Sequence, residues 1–373
     1  MSRKYISIKI EGDFIDSFIY SGILFLVSAN SQISIYNWEG LLSNISDKRP
    51  LYNFLKDCRN GLNLAEYEYQ EIYIQKEQLT EHKLGETLPL KAWSTDINVY
   101  SNCLYIADEN GVDRVNLDFD SKRLAQDTRF QLWGKYAYKI SPNDNFRIAI
   151  AAGSNGIITA FTRRDRTINE SEDIKTIEIN SYDCEWIGNN LITNSKDGSY
   201  VLVFAELPEK PLEPNNIPKS FYTNLNRLKR QTPETIKIDN DSQASIIYSW
   251  MAGRKLFSLL KNGEVIEKNI NVLQDIKTHK TTILQLQISS RVLAVRSALF
   301  GAVIEIGDNL FSLTESGVDS ISHRPVSWRV FPRSKNYLNH LHIVENDHLA
   351  IRAYFVGSED DSDDYGISFN EVI

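Results

Sequence analysis

One unit recurs along this chain: a short apolar strand, a tight turn of Asp, Asn, Ser or Gly, and a second apolar strand. Asn-Gly and Asp-Gly between alternating apolar residues form a β-hairpin, because both residue types tolerate the backbone angles that a two-residue turn demands. The clearest copies are 103–117, with Asn110-Gly111, and 190–204, with Asp197-Gly198. Two more turn at Asn155-Gly156 (146–161) and Asn262-Gly263 (255–266), and looser copies occupy 22–36, 292–306 and 348–355. Gly111, Gly156 and Gly198 stand 45 and 42 residues apart, the spacing of four-stranded propeller blades.

A further strand precedes most hairpins, at 96–100, 137–140, 183–186, 245–248, 284–288 and 341–344. These six are the expected inner strands, lining a central channel. The expected fold is therefore all-β: a single β-propeller over residues 1–373, with about seven four-stranded blades and two insertions. Ser195-Lys-Asp-Gly-Ser-Tyr-Val-Leu-Val-Phe204 looks like the Asp-Gly turn and third strand of a WD repeat, and Ser141-Pro-Asn-Asp-Asn145 is similar to that family's Ser-Pro-Asp-Gly turn. On these segments the chain resembles the seven-bladed propellers of the WD-repeat kind. The family's Gly-His and Trp-Asp dipeptides are absent, Asn37-Trp38 being the nearest approach.

The insertions break the period at about 39–92 and 206–235. In the first, Pro50, Leu51, Phe54, Leu55 and Cys58 predict a short amphipathic helix opened by proline. The Tyr-rich stretch 66–74 predicts a strand at a sheet edge. In the second, Pro208, Pro211, Pro214 and Pro218 precede the basic run Asn226-Arg-Leu-Lys-Arg230 and predict an extended or mobile loop. Tyr5–Ile10 alternates as a strand rather than a signal peptide. It is expected to complete the last blade, against 365–373 or the hairpin before it.

The charge balance, 41 basic against 49 acidic residues, argues against a broad nucleic-acid or anionic-membrane footprint. The apolar stretch 18–29 is too short to span a bilayer, so a cytoplasmic protein is expected. Cys58, Cys103 and Cys184 have neither zinc nor disulfide spacing and read as buried thiols.

Catalytic signatures are sparse. His340 and His342 share a strand face and could hold a metal with Glu345, but an H-x-H pair lacks a matched third ligand. The remaining histidines, His82, His279, His323 and His348, form no recognisable set, and there is no Gly-x-Ser-x-Gly elbow. Gly153-Ser-Asn-Gly156 reads as a hairpin turn rather than a phosphate cradle, and the acidic run 359–364 as a solvated loop. The six tryptophans recur about once per blade and read as core. No catalytic, metal or cofactor residues are assigned.

The expected partner-binding face gathers the turn residues Asn30, Asp108, Glu109, Asn110, Ser154, Asn155, Lys196, Asp197 and Asn262, with Arg227, Lys229 and Arg230 as a separate basic docking element. The function read from this pattern is a non-catalytic scaffold or regulatory subunit that binds a protein partner. Two rivals are a propeller hydrolase or lyase with a metal-assisted site at the channel mouth, and a subunit of a nucleic-acid-associated assembly that uses the basic loop.

Overall fold

The computed structural model describes residues 4–355 apart from 46–48, 61, 63–70, 119, 144–146, 162–173, 207, 209–217, 239–244, 254, 270–280, 287, 289 and 315–316. The acidic run 359–364, the stretch 365–373, His279 and Tyr67 and Tyr69 of the Tyr-rich segment lie outside the described residues.

The fold is an all-β propeller of seven blades. Blade 1 comprises Phe14–Tyr20, Ile23–Ser28, Gln32–Asn37 and Lys83–Pro89. Blade 2 is Asp96–Tyr100, Cys103–Asp108, Gly111–Asp118 and Arg123–Trp133, and blade 3 is Lys139–Pro142, Arg147–Ala151, Ile157–Phe161 and Lys175–Ile177. Blade 4 is Ser181–Ile187, Asn190–Ser195, Gly198–Val203 and Glu234–Lys237, and blade 5 is Ile246–Ala252, Lys255–Leu260, Glu264–Asn269 and Thr281–Gln285. Blade 6 is Val292–Ala298, Gly301–Ile306, Asn309–Thr314 and Gly317–His323. Blade 7 has Ser327–Val330, His340–Val344 and His348–Tyr354, then Tyr5–Glu11 antiparallel to the last of these, and Glu71–Ile74 parallel to Tyr5–Glu11 as a fifth strand.

By its contacts the chain forms two compact units. One holds residues 1–91, 117–126 and 242–373, with blades 1, 5, 6 and 7 and one end of the two outer strands of blade 2; the other holds 92–116 and 127–241, with the rest of blade 2 and blades 3 and 4. In the first unit the inner strand of blade 5 packs on that of blade 6, blade 6 on blade 7, and blade 7 on blade 1. In the second, blade 3 sits between blades 2 and 4. The core lies between neighbouring blades because alternate side chains of each strand point to opposite sheet faces. Tyr105, Val112, Ile140, Ile148 and Ile158 fill the space between blades 2 and 3, and Trp186, Leu191, Leu202 and Ile157 that between blades 3 and 4.

The strand Tyr5–Glu11 completes the last blade as expected, with Ile6, Ile8 and Ile10 buried and Ile8 opposite Ile351. Its partner is the earlier of the two segments considered. The edge strand of the Tyr-rich segment is present at Glu71–Ile74. The expected helix is α2 (Arg49–Lys56), which buries Leu51, Phe54 and Leu55 and packs on α1 (Trp38–Ile45). A third helix, α3 (Lys76–Glu81), follows; the Gln75 N–H donates to Gln78 Oε1 at its start.

Several expectations are corrected. The segment 284–288 is not an inner strand: Thr281–Gln285 is the outermost strand of blade 5, and Val292–Ala298 is the inner strand of blade 6. Likewise 341–344 falls in the second strand of blade 7, behind the short strand Ser327–Val330. Strand alternation reports which face is buried but not radial order within a blade. The second insertion is not wholly a loop, for residues Lys219–Arg230 form the helix α4, opened by Pro218 with its φ of −66°. Trp38, Trp186 and Trp250 are core, but Trp93 is 56% exposed. Of the cysteines, Cys103 and Cys184 are buried and Cys58 half-buried.

Candidate functional site

Within the unit of blades 2 to 4, the chain leaving blade 2 runs from Trp133 through Gly134-Lys135-Tyr136-Ala137-Tyr138 into the first strand of blade 3. Ala137 is fully buried and its N–H donates to Asp108 O at 3.1 Å, while Tyr138 N–H donates to Ala151 O at 2.9 Å. These bonds fasten the loop beside the turns that join second and third strands in blades 2 and 3. With Ala137 turned inward, Tyr136 and Tyr138 are left in solvent on either side of it.

The third member of the cluster comes from blade 4. Its first two strands slip register between Ser181 and Asp183, so Tyr182 is the extra residue of a bulge, a device that redirects a side chain. The bulge is held by Ser181, whose backbone O accepts from Gly153 N–H at 2.9 Å and whose hydroxyl accepts from Thr193 Oγ1 at 2.6 Å. The Tyr136 and Tyr138 rings lie 4.5 Å apart, and the Tyr138 and Tyr182 rings 4.7 Å apart at 84°.

Gly153 makes this contact possible. It has a φ of +58°, and a Cβ there would stand 2.8 Å from Tyr138 Cε2. The three rings are 41%, 36% and 37% exposed, a contiguous aromatic surface rather than scattered side chains. Desolvation first, and then the neighbouring Tyr136 and Tyr182, push the Tyr138 phenol pKa up, so it stays neutral at physiological pH.

A rigid floor supports the patch. Asp96, buried in blade 2, accepts from Lys139 Nζ at 3.1 Å and from Ile140 N–H at 3.0 Å, tying the inner strands of blades 2 and 3 together. Thr95 N–H donates to Ala107 O at 2.9 Å, which places the exposed Trp93, two residues earlier, on the same side of blade 2 as its second turn.

The turn residues expected from sequence divide between the two units. In blades 2 to 4, Glu109, Asn110, Ser154, Lys196 and Asp197 are exposed and Asn155 half-buried, all at turns between second and third strands. Asp108 is different: it is buried, and its carboxylate accepts from the N–H groups of Asn110 and Gly111 at 2.7 and 3.1 Å. That carboxylate shapes the turn. In the other unit, Asn30 and Asn262 occupy the equivalent turns of blades 1 and 5, where Asn262 Nδ2 donates to Glu264 Oε2 at 2.9 Å. Arg227, Lys229 and Arg230 lie on α4.

The His340–His342 pair, weighed with Glu345 as a metal set and not assigned as one, is not joined by that carboxylate. His340 and His342 are enclosed, while the Glu345 carboxylate accepts from Ser322 Oγ at 2.7 Å. Among the described residues no group of three or more His, Cys, Asp or Glu could hold a metal ion. Nor is any helix among them long and apolar enough to cross a membrane.

The seven blades and their strand order define a seven-bladed β-propeller. No protein-family model matches the chain, and no curated protein matches it. Among solved structures, BBS1N in complex with ARL6DN, soaked with mercury, is similar over 95% of this chain and 98% of that one, at 9% identity and a TM-score of 0.50. A chain of the Mitotic Checkpoint Complex is similar over 94% and 89%, at 10% identity and a TM-score of 0.48. The computationally designed Ika8 protein is similar over 95% and 100%, at 9% identity and a TM-score of 0.49. The first likeness supports the fold alone, and the other two carry no weight.

Proposed function

We propose that this chain acts as a single propeller serving as a cytoplasmic, non-catalytic interaction scaffold or regulatory subunit, and that it binds a protein partner through the turn face of blades 2 to 4. The observation that carries the reading is the Tyr136–Tyr138–Tyr182 cluster. Tyrosines with two rotatable side-chain angles present large amphipathic area at low entropic cost, and such residues dominate the energetic centres of protein interfaces. Glu109, Asn110, Ser154, Lys196 and Asp197 would form the polar rim around that centre. The non-catalytic part of the reading rests on the two most perturbed histidines being sealed in the core, out of reach of a substrate.

The test is affinity capture from the source cell with wild type and with the triple variant Tyr136→Ser/Tyr138→Ser/Tyr182→Ser. A defined partner retained by wild type and lost by a variant of unchanged melting temperature is the expected result. Retention of every partner by that variant would overturn the assignment of this face. A metal-dependent hydrolysis by the wild-type protein would overturn the non-catalytic reading.

A further inference from the structure

Helix α4 carries a chemistry different from that of the tyrosine cluster. Over Lys219–Arg230 it carries Lys219, Arg227, Lys229 and Arg230 and no acidic residue, in a chain of net charge −8. Phe221, Leu225 and Leu228 recur at helical spacing and are half-buried, forming the apolar face of the helix. The opposite face is polar: Thr223, Asn226, Arg227 and Gln231 line a groove of about 580 Å³, and the helical repeat brings the exposed Lys219 onto the same side as Thr223 and Asn226. Asn224 Oδ1 accepts from Arg227 Nη2 at 3.1 Å, which steadies the guanidinium at the groove.

We infer that this face of α4 docks a short acidic segment of a protein partner, independently of the tyrosine face. Charge complementarity names the class, and range selects the form. Screening at physiological salt confines each charge to roughly 8 Å, so a segment the length of this 12-residue helix, about 18 Å, senses its local positive charge. A long polyanion such as RNA would also run along the acidic remainder of the chain and be repelled there. Thr223, Asn226 and Gln231 supply neutral hydrogen-bonding groups that a carboxylate-bearing backbone can use beside the Arg227 fork.

The experiment measures fluorescence anisotropy of a labelled alternating Asp-Glu octapeptide with the full chain at low salt, and of a labelled single-stranded RNA of equal charge. The expected result is saturable peptide binding, tighter than RNA binding and weakened by added salt. The variant Arg227→Gln/Lys229→Gln/Arg230→Gln should bind the peptide about tenfold more weakly with an unchanged circular-dichroism melt, whereas the tyrosine triple variant should bind it as wild type does. Absence of peptide binding, preference for RNA, or equal affinity in the charge variant would each overturn the inference. Because the tyrosine variant is measured beside it, failure here is distinguishable from failure of the turn-face reading.

Discussion

The His340 and His342 rings lie 6.1 Å apart on the second strand of blade 7, both sealed from solvent. Trp38, Tyr337 and Phe331 pack around them, and Ser17 Oγ lies 2.9 Å from His342 Nδ1. The charged pair facing them is Arg329 with Asp16, joined at 2.7 Å. Burial holds the His340 pKa down to about 3; burial first, then His340 and Arg329, hold His342 well below its ordinary value.

A pH dependence of stability follows. Both rings are neutral when folded, but protonate near pH 6.5 once unfolded. Their contribution is fully present above about pH 6.5 and is lost progressively as the pH falls below that value, because each ring must be protonated against its burial. The melting temperature should be flat between about pH 8 and 7 and fall below about 6, and His340→Phe should flatten that fall by about half. A melting temperature indifferent to pH down to about 4.5 would contradict this account of the buried pair.

Deletion of residues 1–11 removes Ile6, Ile8 and Ile10, all at zero exposure, and uncovers the Tyr354 edge of blade 7. At roughly 1.5–3 kcal/mol for each buried isoleucine, most of a typical domain's stability is at stake. The gentler Ile8→Ala should lower unfolding free energy by about 2–5 kcal/mol in urea titrations. A change below about 1 kcal/mol would show that the strand is dispensable.

Gly153 and Gly188 have nearly equal φ angles, +58° and +56°, but a Cβ at Gly188 meets nothing within 4 Å. Alanine at either should cost about 1–2 kcal/mol through backbone strain. Gly153→Ala alone also displaces the Tyr138 ring, so it should lose partner capture while Gly188→Ala keeps it. Equal capture by both would argue that the cluster's arrangement is immaterial.

The blade period was legible because Gly111 and Gly198 open third strands after tight turns, and turn chemistry is local. Radial order was not: Val292–Ala298 and Thr281–Gln285 are both short runs, and only packing against neighbouring blades decides which lies inside. Helix α4 was hidden behind prolines that suggested an extended loop, although Phe221, Leu225 and Leu228 carry a helical spacing. The tyrosine cluster was missed because Tyr138 and Tyr182 lie far apart in sequence and meet only across adjacent blades. The signal available was Tyr-x-Tyr immediately before an inner strand.

The central claim is tested most directly by photo-cross-linking in the source cell, with p-benzoylphenylalanine placed at position 182 and, separately, at position 73. Tyr73 is 63% exposed and belongs to the other unit, so it controls for chance encounters. The account predicts a discrete cross-linked protein from position 182 that is absent from position 73. Cross-links of the same pattern from both positions, or none from 182, would contradict it.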